Sequence, residues 1–246
     1  MLRRQSKGLR LGRYRKVYVL TGAGVSVGSG LPQYRTDGHN LPADLAEVLD
    51  AHHLPGSLPR LWGWALGMAE AATASAPNEA HRAINAARRA LADRDRPASL
   101  ATMNVDGLHQ RAGDDDVLEL HGSALRVRCT LCEVDGLPGV LSFVGAAGLP
   151  PTCHACGAPL RPDIVLYHEQ PDTYATWQSK RALRDADLIL VVGTSGRVTT
   201  VDTAMRAARY TGARTVGVNP SLDANAGYTE FHRGRAEDVL PELLTI

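Results

Sequence analysis

Val17-Tyr18-Val19-Leu20 is a short apolar run that ends in a glycine-rich loop, Gly22-Ala23-Gly24-Val25-Ser26-Val27-Gly28-Ser29-Gly30. A brief apolar run stopped by a turn reads as a buried strand. The pattern recurs at Leu100 to Met103, Val117 to Leu120 and Thr215 to Val218, each followed by polar residues. Leu188 to Val192 is apolar throughout, as expected of a strand covered on both faces. Helical stretches alternate with these runs. Asn78 to Arg94 has Asn78 as N-cap after Pro77, with Ala83, Ile84, Ala87 and Leu91 as its apolar stripe. Thr199 to Tyr210 and Glu237 to Leu244 complete the set. Strands alternating with helices specify an α/β protein with a mostly parallel sheet.

Two stretches depart from this alternation. Asp44 to Met68 is helical in composition, but Pro55 and Pro59 predict several short pieces. Arg128 to Pro159 is rich in Gly, Pro and Cys and reads as a small inserted module. The expected organisation is a single domain over 1–246. Within it, 1–16 is a basic tail and 38–79 a helical module. Residues 126–159 are a cysteine module, and 17–37, 80–125 and 160–246 build the sheet domain.

The chain has 246 residues, 44% hydrophobic and 22% charged, which excludes general disorder. With four cysteines it is not a disulfide-dense mini-protein. No run approaches the roughly 20 apolar residues of a membrane helix. The 27 Lys and Arg against 26 Asp and Glu give no reason to expect a dedicated nucleic-acid binder. Positive charge is concentrated at the start, where no acidic residue occurs before Asp37. That tail reads as a solvated, frayed terminus, with at most weak contact to nucleic acid. It lacks an apolar h-region, so a cytoplasmic location is expected. A monomer is expected as well.

The cysteines fall as Cys129-x2-Cys132 and Cys153-x2-Cys156. Paired knuckles of this kind are a signature of one tetrahedral zinc ion. Four thiolates close the shell and leave no place for water, so the expected role is structural. A redox dithiol and free buried cysteines are the competing readings.

The glycine loop suits a pyrophosphate, because amides near a helix start favour negative charge. Its spacing is GxGxxxG, not the dinucleotide fingerprint, and no acidic residue closes a second strand about 20 residues on. A tight structural turn is the competing reading. The strand ends carry a second signal. Asn104-Val105-Asp106-Gly107, His121-Gly122, Gly193-Thr194-Ser195 and Asn219 all follow strands, and ligands of open parallel sheets bind outside the carboxyl ends.

Taken together, these residues resemble the sirtuin family of NAD-dependent protein deacylases over about Val17 to Leu244. Gly22-Ala23-Gly24-Val25-Ser26 through Ser29-Gly30-Leu31-Pro32-Gln33-Tyr34-Arg35 is similar to the family's first NAD motif. Thr102-Met103-Asn104-Val105-Asp106-Gly107-Leu108-His109 with Arg111-Ala112-Gly113 is similar to the second, and Leu120-His121-Gly122 to the catalytic motif. Leu160 to Val165 resembles the segment beside the acyl-peptide channel. The resemblance implies a Rossmann-like α/β sheet domain with an inserted zinc-binding module and a helical module. It implies removal of acyl groups from protein lysines with release of nicotinamide and O-acyl-ADP-ribose.

The resemblance also implies residue roles. NAD would be held by Gly22, Ala23, Gly24, Ser26, Tyr34, Arg35, Met103, Asn104, Val105, Asp106, Gly193, Thr194, Ser195, Asn219 and Ala236. His121 would be the general base, with Asn104 placing the ribose and a water. Val165, Tyr167, His168 and Glu169 would flank the acyl-lysine. Cys129, Cys132, Cys153 and Cys156 would hold Zn2+.

The chain departs from the family pattern at several positions. Met103 stands where the family usually has Gln, and a thioether cannot donate a hydrogen bond. Tyr34 replaces Phe, and His168 replaces a Gly. Gly196-Arg197 and Thr200 replace a more apolar stretch and a Pro. Relatives acting on succinyl or malonyl lysine carry Tyr-x-x-Arg in the helical module. Ala65 and Met68 fall there and cannot pair a carboxylate. They predict acetyl or other neutral acyl groups as substrates, although Met68 and its neighbours Trp62, Trp64 and Leu66 also read as plain core. The competing functions are a protein mono-ADP-ribosyltransferase, against which His121 argues, and an NAD-binding sensor with little turnover.

Overall fold

The computed structural model describes residues 8–33, 42–146, 150–171, 173–195, 199–225 and 227–245. Tyr34, Arg35, Gly196 and Arg197 therefore lie outside the described residues.

In chain order the strands are β1 (Val17–Thr21), β2 (Ala98–Thr102), β3 (Val117–Glu119), β4 (Gly122–Cys129), β5 (Leu160–Ile164), β6 (Leu188–Val192), β7 (Arg214–Asn219) and β8 (Glu230–Arg233). The helices are α1 (Ala43–Val48), α2 (Leu54–Ala74), α3 (Glu79–Ala92), α4 (Leu108–Arg111), α5 (Thr173–Asp185), α6 (Thr199–Thr211) and α7 (Ala236–Leu243). Six strands form one sheet in the order β3-β2-β1-β6-β7-β8, and every pair in it is parallel. The sheet is Rossmann-like, and its strand order reverses between β1 and β6.

Alternation along the strands makes two cores. Val17, Val19, Leu188, Leu190 and Val192 face α3 and α7, where Ile84, Leu91, Leu240 and Leu243 are buried. Tyr18, Leu20, Ile189 and Val191 face α5 and α6, against Leu183, Val201, Met205 and Ala208. Each such side chain contributes roughly 1.5–3 kcal/mol when fully buried.

A third core joins what the sequence separates. Val48, Leu61, Trp62, Ala65 and Ala69 of the helical module pack with Val127, Val140, Cys153, Leu160 and Ile164. Trp62 Nε1–H donates to the Leu160 carbonyl at 2.8 Å, and its ring meets Phe143 edge-on. The helical and cysteine modules thus share one interior.

β5 pairs antiparallel with β4 in a separate two-stranded sheet. Two expectations need correcting. α2 runs unbroken for 21 residues. Pro55 sits in its first turn, where the N–H would be unpaired anyway, and Pro59 forfeits only the bond back to Pro55. From residue 8 onward the N-terminal segment is docked, not frayed. Leu9 and Leu11 are buried, and their N–H groups donate to Leu243 O at 2.6 Å and Thr245 O at 2.8 Å. Among the described residues no helix is long and apolar enough to cross a membrane.

Candidate active site

All six parallel strands end on one side, and the polar residues follow those ends. The reversal of strand order places a crevice between β1 and β6, the usual ligand position in such sheets. Gly22 N–H donates to Val192 O at 3.0 Å and Gly24 N–H to Gly193 O at 2.8 Å. A Cβ on Gly24 would lie 2.7 Å from Gly193 Cα, and Gly193 itself has φ +64°. Glycine at both places lets the loops after β1 and β6 touch backbone to backbone. Val25 and Ser26 N–H groups also donate to main-chain carbonyls. The loop therefore allows close backbone approach between the ends of β1 and β6.

Beside this loop a shallow cleft opens to solvent. Ser26, Asn104, Val105 and Asp106 line it, with Leu31 and Met68. Ser26 Oγ donates to Asp106 Oδ2 at 2.7 Å and accepts from Asn104 Nδ2 at 3.1 Å. Leu108 N–H donates to Asp106 Oδ1 at 3.0 Å, so the carboxylate also starts α4. Asp106 is buried, and burial pushes its carboxyl above the usual range despite these donors. A ligand group entering here meets a buried acceptor set.

His121 Nδ1 lies 3.1 Å from the Met103 carbonyl oxygen. A carbonyl only accepts, so Nδ1 carries the proton and Nε2 keeps its lone pair. Burial lowers the imidazole below 6.5, partly offset by the bond to Met103. The ring is therefore neutral near pH 7 and ready to take a proton. His121 O in turn accepts Val165 N–H at 3.0 Å, tying the segment after β5 to this histidine.

Sequence reasoning assigned no role to the layer beneath. Thr21 Oγ1 donates to Thr102 Oγ1 at 2.9 Å, and Thr102 Oγ1 accepts Asn104 N–H at 3.0 Å. His109 Nε2 lies 3.0 Å from Thr21 Oγ1, which has already given its proton, so Nε2–H is the donor. Behind it stands His81, whose Nδ1 accepts the Asn78 N–H in a capping box. The rings of His81 and His109 are 4.7 Å apart. His81 Nε2 and His109 Nδ1 are buried without a hydrogen-bond partner among the described residues. Burial lowers His81 to about 4 and depresses His109 strongly. The available signal was a histidine three residues after an Asn N-cap, within reach of a second histidine.

The other expected residues are distributed as follows. Asn219 Nδ2–H donates to Thr194 O at 2.7 Å, joining the ends of β6 and β7. Ser195 is exposed, and Ala236 is buried in the first core at the start of α7. Met103 Cε lies 3.3 Å from where a Gly22 Cβ would stand, so the thioether borders the glycine loop. Val165 is half-buried, while Tyr167 and His168 are exposed. Glu169 is held by Arg161 through two 3.0 Å bonds and by Leu166 N–H at 2.9 Å, with Arg128 against the same carboxylate. It therefore clasps its own loop instead of standing free for substrate. Ala65 is fully buried in the third core and does not reach the cleft that Met68 lines.

The cysteines converge. Cys129 and Cys156 Sγ are 3.5 Å apart, Cys132 and Cys153 Sγ are 3.7 Å apart, and all four lie within 4.8 Å of one another. Sulfurs around a tetrahedral ion at about 2.3 Å are about 3.8 Å apart, so the set fits zinc.

A family model described as Sir2 matches residues 22–200. The chain belongs to the Sir2 family. A relative from Aeropyrum pernix, named NAD-dependent protein deacylase, is 38% identical over 230 residues, covering 90% of this chain and 87% of the relative. NAD-dependent protein deacylase 1 of Pseudomonas aeruginosa is 38% identical over 238 residues, covering 94% and 93%. Among solved structures, a Sir2 homologue in complex with NAD superposes at TM-score 0.79 with 31% identity, covering 95% of this chain and 90% of the other. A Sir2 homologue with 2′-O-acetyl ADP-ribose gives TM-score 0.79 at 30% identity, covering 95% and 92%.

Proposed function

We propose that this Sir2-family chain is an NAD-dependent protein-lysine deacylase that removes acetyl or other neutral acyl groups, giving nicotinamide and O-acyl-ADP-ribose. The observation that carries the reading is the His121 ring, tethered through Nδ1 to Met103 O beside the buried Ser26, Asn104 and Asp106 cluster. Relatives named as NAD-dependent deacylases and neighbours holding NAD or acetyl ADP-ribose support it.

When bound, NAD supplies an anomeric carbon that loses nicotinamide and takes the acyl oxygen. Asp106 accepts from the carboxamide in the cleft, with Val105 at its side. Ser26, Leu108 and Asn104 hold the Asp106 carboxylate in place for that contact. Asn104, fixed by Thr102 below and Ser26 beside it, orients the ribose. Gly22 to Gly24 and Gly193 allow close approach of the pyrophosphate. Thr194, Ser195, Asn219 and Ala236 border the adenosine side. His121 takes a ribose hydroxyl proton on Nε2, contributing roughly 10²–10⁴ in rate. The acyl-lysine enters beside Val165 and Tyr167. Met68, an apolar wall, favours neutral acyl groups. Zn2+ on the four cysteines supplies no chemistry and holds the small module together. The substrates are acylated proteins, and the expected setting is a cytoplasmic monomer.

The test is mass spectrometry of matched peptides bearing acetyl, butyryl, decanoyl or succinyl lysine, with and without NAD. NAD-dependent loss of neutral acyl groups, sparing succinyl, supports the reading. No loss from any peptide by folded protein overturns it.

A further inference from the structure

Asp50 lies in the connection between α1 and α2. Its Oδ1 accepts the His52 main-chain N–H at 2.9 Å, which fixes the carboxylate at the start of a short turn. Two imidazoles converge on the same oxygen, His52 Nδ1 at 3.0 Å and His168 Nδ1 at 3.1 Å. His53 Nδ1 stands 3.9 Å from the other oxygen. The His52 and His168 rings are 4.7 Å apart.

His168 comes from a distant part of the chain. A short parallel ladder brings it in, with Tyr167 N–H on Leu49 O at 2.8 Å and Ala51 N–H on Tyr167 O at 3.0 Å. His168 has φ +63°, the left-handed region that favours glycine. The chain keeps a histidine there, aimed at a carboxylate and a second imidazole.

We propose that Asp50, His52 and His168 form a second metal site, for a divalent transition-metal ion of the zinc, nickel or copper class. Neighbouring ligand atoms bound at about 2.1 Å are about 3.0 Å apart at right angles and about 3.4 Å apart at tetrahedral angles, so the Nδ1–Oδ1 separations of 3.0 and 3.1 Å fit the first and come within a few tenths of an ångström of the second. Two imidazoles and one carboxylate suit these ions, whereas magnesium and calcium prefer oxygen alone. Each ring would bind through Nδ1 in its Nε2–H tautomer, replacing its bond to Asp50. The His52 and His168 side chains are 69% and 60% exposed, so an ion enters from solvent and keeps water in its remaining positions.

The ion would staple the α1–α2 connection to the segment that follows β5. That segment carries Val165 and Tyr167. Control of acyl-lysine entry is therefore the expected consequence, and this clause alone rests on the deacylase reading.

The test counts metal. Untagged wild-type chain and the His52→Ala/His168→Gly double variant are dialysed against micromolar Zn2+ and analysed by plasma mass spectrometry. His168→Gly places glycine at a φ it favours, and matching melting curves confirm the fold. One more zinc per wild-type chain than per variant is expected, and equal counts overturn the site. In a second arm, zinc should change KM for acyl-peptide in wild type only. A KM that ignores zinc while the counts differ overturns the entry control.

Discussion

The Met103 main-chain carbonyl, 3.1 Å from His121 Nδ1, decides which nitrogen of the catalytic candidate is free. Position 103 thus acts twice, through its carbonyl on the histidine and through its side chain beside Gly22. Substituting His121 by Ala should lower deacylation by about 10²–10⁴ while NAD still binds. Single-turnover acyl release and calorimetric NAD binding check this. Retained deacylation would remove His121 from the role.

The protonation state of His121 sets a pH profile. Burial disfavours imidazolium and lowers the ring below 6.5, so the neutral base persists into mildly acidic solution. The acidic limb of kcat/KM should fall below pH 6.5. A limb above that value would contradict a base buried as described.

Acid should also destabilise the fold through His81 and His109. Both are depressed in the folded state, His81 to about 4, so the unfolded chain binds more protons below 6.5. Their contribution is complete above 6.5 and is lost as pH falls towards the folded values. His81 alone corresponds to roughly 3 kcal/mol between those limits. Thermal midpoints from pH 7.5 down to 4.5 should drop, and His81→Gln should flatten the curve. An unchanged slope in the variant would show that His81 does not carry the effect.

Much of this was legible in the sequence because strands with five consecutive apolar residues and a capped, striped helix follow simple periodicity. Leu188–Val192 is buried throughout, and Asn78 caps α3. What stayed hidden has physical causes. α5 buries Ser179, whose Oγ meets Tyr18 Oη at 2.6 Å, so its inward face is partly polar and shows little apolar stripe. α2 hides its continuity because prolines that usually break helices fall near its start. The shared core of the two inserted modules depends on long-range contacts such as Trp62 to Leu160, which no local pattern records. At the site, the strand-end residues were readable, but the His81 and His109 layer and the Glu169 clasp depend on three-dimensional closure.

Removing zinc ligands should loosen that shared core. Cys153 is buried in the same core as Trp62. Cys153→Ala/Cys156→Ala should lower the thermal midpoint by about 10 °C or more, on the scale of a loss near 4 kcal/mol. Tryptophan emission should shift red as Trp62 loses its packing. A stable, active, zinc-free variant would refute the structural zinc reading.

Asp106 offers a sharper test of the cleft. Asp106→Asn keeps the shape but removes the charge that Ser26 Oγ–H and Leu108 N–H both address. A hydrogen bond to a charged group contributes about 1.5–3 kcal/mol, so KM for NAD should rise roughly 10–100-fold. The peptide KM should change far less, because Val165 and Tyr167 approach from the β5 side. Met103→Gln should act in the opposite sense. It replaces a thioether bordering Gly22 with an amide that can donate, worth about 1 kcal/mol or roughly fivefold in KM for NAD. Because the main-chain carbonyl is kept, the pH profile should not move. A profile that shifts with this side chain would mean that position 103 holds His121 through more than its backbone.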